Sequence, residues 1–373
     1  MFKKLLTIFL SLLITFIVLE ILSQQYLDPK NSEKMTWRTM IFDANKPFIN
    51  IGNYFKWRPN NSTRSIGFYS NPNGMNQVVE YDYTVMTNNY GLVMNRDIVE
   101  KGEYVVVIGD SFTEGQGARP WFYSVEEKLD NNNIKSANLG ILGTGPMQWE
   151  LLLNKFKVET KVNINKLIVV VIPDDMYREV WNFDNRTLSC LNNGDCDSGV
   201  GFIGIKMANK SLGQIIEETN ALQTKYHRLE RPPLEFSFSV NFLKTLLLRS
   251  QFIYTLNDSW NKLFRKTNDA DILLKNKNNK KDILFEKNSN TLKRFISEYK
   301  DKIFFIVINE KNYKSNSIMS SKHKKLLKFL ELNKIDFDFC ELQDSQFHIH
   351  DSHPNENGYK EIEKCFMRGL SLK

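Results

Sequence analysis

The chain has 373 residues, of which 42% are hydrophobic, 12% aromatic and 25% charged. That is the composition of a folded globular protein; it excludes a disordered or fibrous chain and, at this length, a small scaffold held only by disulfides. Fifty Lys and Arg against 43 Asp and Glu leave a formal net charge of +7, a mild excess that solvated surface lysines explain as well as an anionic partner would.

Lys3 and Lys4 precede an almost unbroken apolar run from Leu5 to Leu22, in which Glu20 is the one charge. About 18 such residues span a bilayer, and a basic flank stays in the cytoplasm. Residues 1–27 therefore read as a single N-terminal membrane helix, with everything after it outside the cytoplasm. The run ends on Ile21, Leu22, Ser23, Gln24 and Gln25, not on the small residues that a cleaved signal peptide needs, so the expected form is an uncleaved anchor.

Residues 28–100 are irregular, aromatic and rich in Asn, and predict a lead-in of extended segments and turns. The pattern then changes. Tyr104 to Ile108 is a continuous β-branched run, and similar runs recur at Leu167–Ile172 and Ile303–Ile308, as expected of strands buried on both faces. Helical stretches near 121–129, 147–156 and 321–332, short strands near 134–138 and 335–340, and a last helix from about Asn357 alternate with them. The series predicts an α/β fold, a flavodoxin-like three-layer sandwich around a mostly parallel sheet, over residues 101–373. It is interrupted at about 182–290 by an insertion expected to lie over the sheet, ending in a flexible basic stretch, Lys275 to Lys281.

Cys190 and Cys196 flank a short polar loop that a disulfide would close in an oxidising compartment. Cys340 and Cys365 read as small buried apolar residues. No C-x-x-C pair suggests zinc.

In an open α/β sheet the chemistry lies beyond the C-terminal ends of the strands. After the first run stands Gly109-Asp110-Ser111-Phe112-Thr113-Glu114-Gly115-Gln116-Gly117. A serine in a strand-to-helix turn exposes its hydroxyl and a free backbone N–H, which suits a nucleophile; a Ser/Asp helix cap with turn glycines is the plainer alternative. After the last strand comes His348-Ile349-His350-Asp351-Ser352-His353-Pro354, with three of the five histidines in the chain. Asp351 can hold one nitrogen of His353 while the other acts as general base. Metal binding by His348, His350, Asp351 and His353 is the competing reading, but the Asp stands one position early for an H-x-H-x-D-H pattern.

GDSFTEGQG and DSHPNENGY resemble the first and last blocks of the SGNH (GDSL-like) hydrolase superfamily, and Asn138-Leu139-Gly140-Ile141-Leu142-Gly143-Thr144-Gly145 is similar to its second. Thr87-Asn88-Asn89-Tyr90-Gly91-Leu92 looks like the lead-in of its membrane-anchored members in bacterial envelopes. The resemblance covers about 100–181 and 300–370. It implies Ser111 as nucleophile, His353 as base, Asp351 as its orienting partner, and an oxyanion hole from the Ser111 and Gly143 N–H groups. The family's third block supplies an Asn to that hole, and Asp174 stands in its place. An ionised carboxylate cannot donate, so Asp174 is protonated, turned away, or part of an altered chemistry.

The expected activity is that of a serine esterase working through an acyl-enzyme, without metal or other cofactor, that removes O-acetyl groups from cell-surface carbohydrate. The alternatives are an O-acyltransferase on surface polysaccharide, a lipid esterase, and a catalytically silent glycan-binding module. Trp181, Phe183 and Tyr226 are either a substrate wall or, more simply, core. The expected partners are an acylated carbohydrate or other ester and, through the first helix, a membrane; nucleic acid is not expected.

Overall fold

The computed structural model describes residues 2–26, 35, 37–71, 77–196, 201–226, 269–315 and 317–371. They form two compact units, one of Met1–Arg38, Tyr69–Val78 and Asn220–Asn279, the other of Thr39–Phe68, Val79–Thr219 and Lys280–Lys373. The first contains α1 (Phe2–Tyr26), on which Leu6, Leu12, Ile14 and Ile21 are exposed. The helix forms where the apolar run predicts it. As for the predicted span, among the described residues no helix is long and apolar enough to cross a membrane, and the side chains of Leu5 and Phe9 lie outside that description.

The lead-in holds β1 (Trp37–Asp43), β2 (Phe48–Ile51), β3 (Tyr54–Trp57), β4 (Ser62–Ser70) and β5 (Gln77–Met86). Strands β2 and β3 pair antiparallel, with Phe48 opposite Trp57. β1, β4 and β5 belong to a four-stranded sheet of order β5-β4-β1-β9, whose last strand, β9 (Phe202–Ile205), comes from the insertion. β9 lies parallel to β1, with Met40 opposite Phe202 and Asp43 opposite Ile205. So this part of the insertion extends the lead-in's sheet instead of capping the central one. Aromatic packing explains the pairing: the Phe42 and Phe202 rings stack 6.1 Å apart, and Phe183 stacks on Phe55 at 4.0 Å. Phe183 is thus core, Trp181 is half-buried beside it, and the Tyr226 side chain lies outside the described residues.

The central sheet contains β6 (Glu103–Ile108), β7 (Ser136–Asn138), β8 (Asn163–Val171), β10 (Ile303–Ile308) and β11 (Phe337–Cys340). Its order is β11-β10-β8-β6-β7 and every pairing is parallel. Counted within the sheet this is 2-1-3-4-5, the flavodoxin-like order, with the reversal of direction between β6 and β8. Right-handed crossovers then place the helices on opposite faces according to the direction in which the chain moves along the sheet. On one side α3 (Phe122–Asp130) lies beside α9 (Glu356–Ser371), and the Trp121 and Phe366 rings are 5.6 Å apart. On the other are α4 (Pro146–Thr160), α7 (Asp269–Tyr299) and α8 (Ser317–Leu332). Arg294 bonds Glu150 there at 2.6 Å, and Lys325 stands 4.2 Å over the Phe285 ring. Both faces of the sheet are covered, which is why Val106, Val107, Leu167, Ile168, Phe305 and Ile306 are fully buried and why their runs are continuous instead of alternating.

Two expectations are corrected. The basic stretch Lys275–Lys281 is not a flexible loop but part of α7. Farther along that helix, buried Leu292 and Phe295 dock it on the protein, and this packing outweighs the poor helix propensity of a Lys/Asn tract. Cys340 and Cys365 are not separate buried thiols; they form a disulfide between β11 and α9. Cys190 is disulfide-bonded to Cys196 as the sequence predicts, across the end of α5 (Asn185–Asn193), where Gly194 takes a φ of +72°; α6 (Leu212–Tyr226) follows β9 in the chain.

Candidate active site

Beyond Ile108 the chain turns within two residues into the short helix α2 (Ser111–Glu114). Gly109 makes this turn feasible. A Cβ there would lie 1.9 Å from Thr113 Oγ1 and 2.6 Å from the Val170 carbonyl, so any larger residue would push the serine turn off β8. Asp110 caps the helix, its Oδ1 accepting the Phe112 N–H at 2.9 Å. Ser111 follows as the first helical residue, where a backbone N–H has no partner within the helix.

The loop between β11 and α9 closes on itself, Phe347 bridging Pro354 and the His348 N–H donating to the His353 carbonyl at 3.0 Å. This brings His353 Nε2 to 2.9 Å from Ser111 Oγ and His353 Nδ1 to 2.5 Å from Asp351 Oδ1. An ionised Asp accepts only, so the ring proton sits on Nδ1 and leaves the Nε2 lone pair facing the serine hydroxyl. The Gln116 amide nitrogen, 3.3 Å from Nδ1, is then a neighbour of the ring and not its acceptor. Ser111, Asp351 and His353 are 3%, 2% and 8% exposed, so the line is shielded from water.

The loop from Leu139 to Gly145 is laced to the serine turn. The N–H groups of Gly140, Ile141 and Leu142 are taken by Asn138 Oδ1 at 2.9 Å, the Gly109 carbonyl at 3.2 Å and Glu114 Oε2 at 2.7 Å. The Gly143 N–H has no acceptor among the described residues. Gly143 has a φ of +71°, and a Cβ on it would lie 1.9 Å from the Trp181 ring, so both backbone and space demand glycine. The serine turn and this loop thus supply two unspent N–H groups.

Asp174 is not a donor. It lies in the turn Pro173–Tyr177 after β8 and pairs with Lys322 Nζ of α8. Burial alone would raise its pKa, but the bond and charge of Lys322 outweigh that and hold it below the usual carboxylate value. Asp174 is therefore ionised and turned to Lys322, and a carboxylate so held cannot donate. Its neighbour Glu310 is pushed up to about 8, first by burial and then by the charge of Asp174.

Several residues of the site carry no motif. Arg178 Nη1 donates to Asp110 Oδ2 at 3.0 Å and to the Thr144 carbonyl at 3.1 Å, and stands 3.2 Å from Asp175 Oδ1 as an ion pair. It fastens the serine turn to the Gly143 loop. One guanidinium serves two buried carboxyls there, and Asp175 is driven well above the ordinary range by burial and then by the charge of Asp110. Tyr81 donates to Asp351 Oδ2 at 3.1 Å, and Trp57 donates to Glu114 Oε2 at 3.0 Å. A pairing across so much sequence leaves no trace in the spacing of either partner. His348, prominent in the metal reading, places Nε2 2.8 Å from the Gly117 carbonyl; among the described residues no group of three or more His, Cys, Asp or Glu is arranged to hold a metal ion.

No family model matches this chain, and no curated protein matches it. Among solved structures it is similar to an acetylxylan esterase from Geobacillus stearothermophilus, at 12% identity and a TM-score of 0.34 over 74% of this chain and 97% of that one. It is also similar to a member of the lipolytic protein G-D-S-L family from Veillonella parvula, at 12% identity and a TM-score of 0.34 over 73% of this chain and 100% of that one.

Proposed function

We propose that the chain is a serine esterase of the SGNH type that removes O-acyl groups, acetyl above all, from cell-surface carbohydrate. The observation that carries this reading is the line Asp351–His353–Ser111, at 2.5 and 2.9 Å, beside the free Gly143 N–H. In the proposed reaction His353 Nε2 takes the hydroxyl proton as Ser111 Oγ attacks the ester carbonyl, and the Ser111 and Gly143 N–H groups receive the oxyanion. His353 then protonates the departing sugar hydroxyl, and water activated by the same nitrogen releases the acid from the acyl-serine. A second sugar hydroxyl in place of water would make the same intermediate an O-acyl transfer.

Support for a carbohydrate comes from a cavity of about 370 Å³ next to Gly143, lined by Tyr177, Arg178, Trp181, Lys280 and Leu284 among others. Aromatic side chains with polar neighbours suit the apolar faces and hydroxyls of a sugar. Two disulfides support an extracytoplasmic location. Lys3 and Lys4 in the first turn of α1, with the helix's exposed apolar side chains, support membrane attachment at the N-terminus.

The test is hydrolysis of p-nitrophenyl acetate and a long-chain homologue by wild type and Ser111→Ala. Acetate turnover lost in the variant, with an acetyl adduct in the mass of the wild type, is the expected result. Turnover that survives in Ser111→Ala would remove the serine mechanism, and a preference for the long acyl chain would replace the carbohydrate by a lipid.

A further inference from the structure

The carboxylate that orients His353 is itself held from outside the central sheet. Asp351 Oδ1 accepts two bonds from within its own loop, from the His353 N–H at 3.1 Å and from Nδ1–H at 2.5 Å. Oδ2 accepts the Tyr81 hydroxyl at 3.1 Å. Tyr81 lies within β5, 270 positions earlier in the chain, and is 6% exposed.

Neighbouring residues dictate the pose of this tyrosine. Gly67 on the adjacent strand β4 is the key: a Cβ there would lie 2.2 Å from the Tyr81 Cζ. Glycine alone lets the ring lie across β4 with its hydroxyl over Asp351. The His348 ring packs 5.3 Å away. Gln116 Nε2 stands 3.4 Å from the Tyr81 hydroxyl as a donor, and the carboxylate can only accept. The polarity of the chain is therefore fixed, from Gln116 to Tyr81 to Asp351.

We infer that Tyr81 is a positioning residue of this site: its hydroxyl fixes the second oxygen of Asp351, and through it the ring of His353, so that the N-terminal sheet is a working part of the active centre. The inference rests on the reading of Ser111, His353 and Asp351 as a catalytic triad. Without the hydroxyl, Asp351 loses the donor that ties its second oxygen to β5, and the carboxyl turns more freely about its bond to the ring. A loosely held partner lets the imidazole leave the attack geometry, which lowers kcat while substrate contacts stay intact.

Tyr81→Phe in the full chain is the variant to make, because it keeps the ring that Gly67 accommodates and removes one oxygen. The expected result is a fall in kcat of about tenfold with KM unchanged. The second readout needs no substrate: the low-field proton resonance of His353 Nδ1 moves from its wild-type position. A variant with that resonance and kcat both in place overturns the inference, and so does a fall in kcat with the resonance unmoved. Failure of the esterase reading looks different, namely turnover that persists in Ser111→Ala, and the resonance still decides the Tyr81 contact in that case.

Discussion

The indole N–H of Trp57 and the backbone N–H of Leu142 meet on one oxygen of Glu114, at 3.0 and 2.7 Å. Glu114 thereby joins the β2–β3 hairpin to the loop that presents the Gly143 N–H. It does so fully buried, and burial raises it from the ordinary 4.5 to about 8, with the charge of Asp110 adding to the push and the two bonds opposing it. A raised acid is protonated in the folded protein while the unfolded chain is ionised. Its stabilising contribution is complete below about pH 4.5 and is lost as pH rises through about 8. Glu114→Gln keeps an oxygen for both donors and removes the titration. Between about pH 5 and pH 8 the wild type should lose on the order of 3 kcal/mol more stability than the variant, measured by urea unfolding at both ends of the range. Equal slopes would mean that Glu114 is ionised in the native state. Glu310 titrates in both proteins and cancels from the comparison.

Gly143→Ala tests the oxyanion site. The added methyl is disfavoured by the positive φ and collides with the Trp181 ring, so the loop must shift and take the Gly143 N–H with it. Loss of one such donor costs ~100- to 1,000-fold in kcat. Turnover of p-nitrophenyl acetate should fall by that factor with KM little changed, in protein whose circular dichroism shows it folded. A kcat within threefold of wild type would assign the oxyanion to other donors.

What the sequence discloses and what it withholds follow from the range of the interactions. Val106, Leu167 and Phe305 lie in strands covered on both faces, so their apolar runs are continuous and the central sheet is legible. Ser111, Asp351 and His353 stand at strand ends within compact motifs, because a turn must place them locally before the fold can bring them together. Tyr81 and Trp57 act across 270 and 57 positions, and nothing in the alternating text of β5 marks Tyr81 off from Tyr83. The union of β9 with β1 is hidden for the same reason, since four residues of FIGI bear no sign of their partner. In α7 local propensity pointed the wrong way, and only the docking of Leu292 and Phe295 corrects it. The ionisation of Asp174 depends on Lys322, which arrives on α8 almost 150 positions later.

Asp174→Asn supplies the amide that the sequence resemblance expects at this position, and it separates the two roles open to that position. The side chain engages Lys322 and Glu310, not the serine turn. The substitution should therefore change kcat at neutral pH by less than about threefold, well short of the ~100-fold worth of an oxyanion donor. Its effect falls on Glu310, which loses the second of the two influences that raise it. Burial still keeps that group high, and its titration moves down from about 8, visible as a shift of any Glu310-linked feature in the stability profile toward lower pH. A gain in kcat of tenfold or more would place the new amide at the oxyanion and reverse the assignment.

The Cys340–Cys365 disulfide ties the edge strand β11 to α9 across 25 positions of sequence, and the loop that it closes contains both Asp351 and His353. In the chain-entropy account a closure of that length stabilises by about 3 kcal/mol. Replacing both cysteines by Ala should lower unfolding stability by about that amount, measured by urea denaturation without reductant. Beyond the cost to stability, the bond limits how far the Asp351–His353 loop can drift from Ser111, which heads α2 beyond a different strand and meets His353 across the 2.9 Å contact. The variant should therefore lose activity at temperatures where its circular dichroism still reports a folded sheet. The wild type should lose activity and structure together, and coincident loss in both proteins would confine the disulfide to global stability.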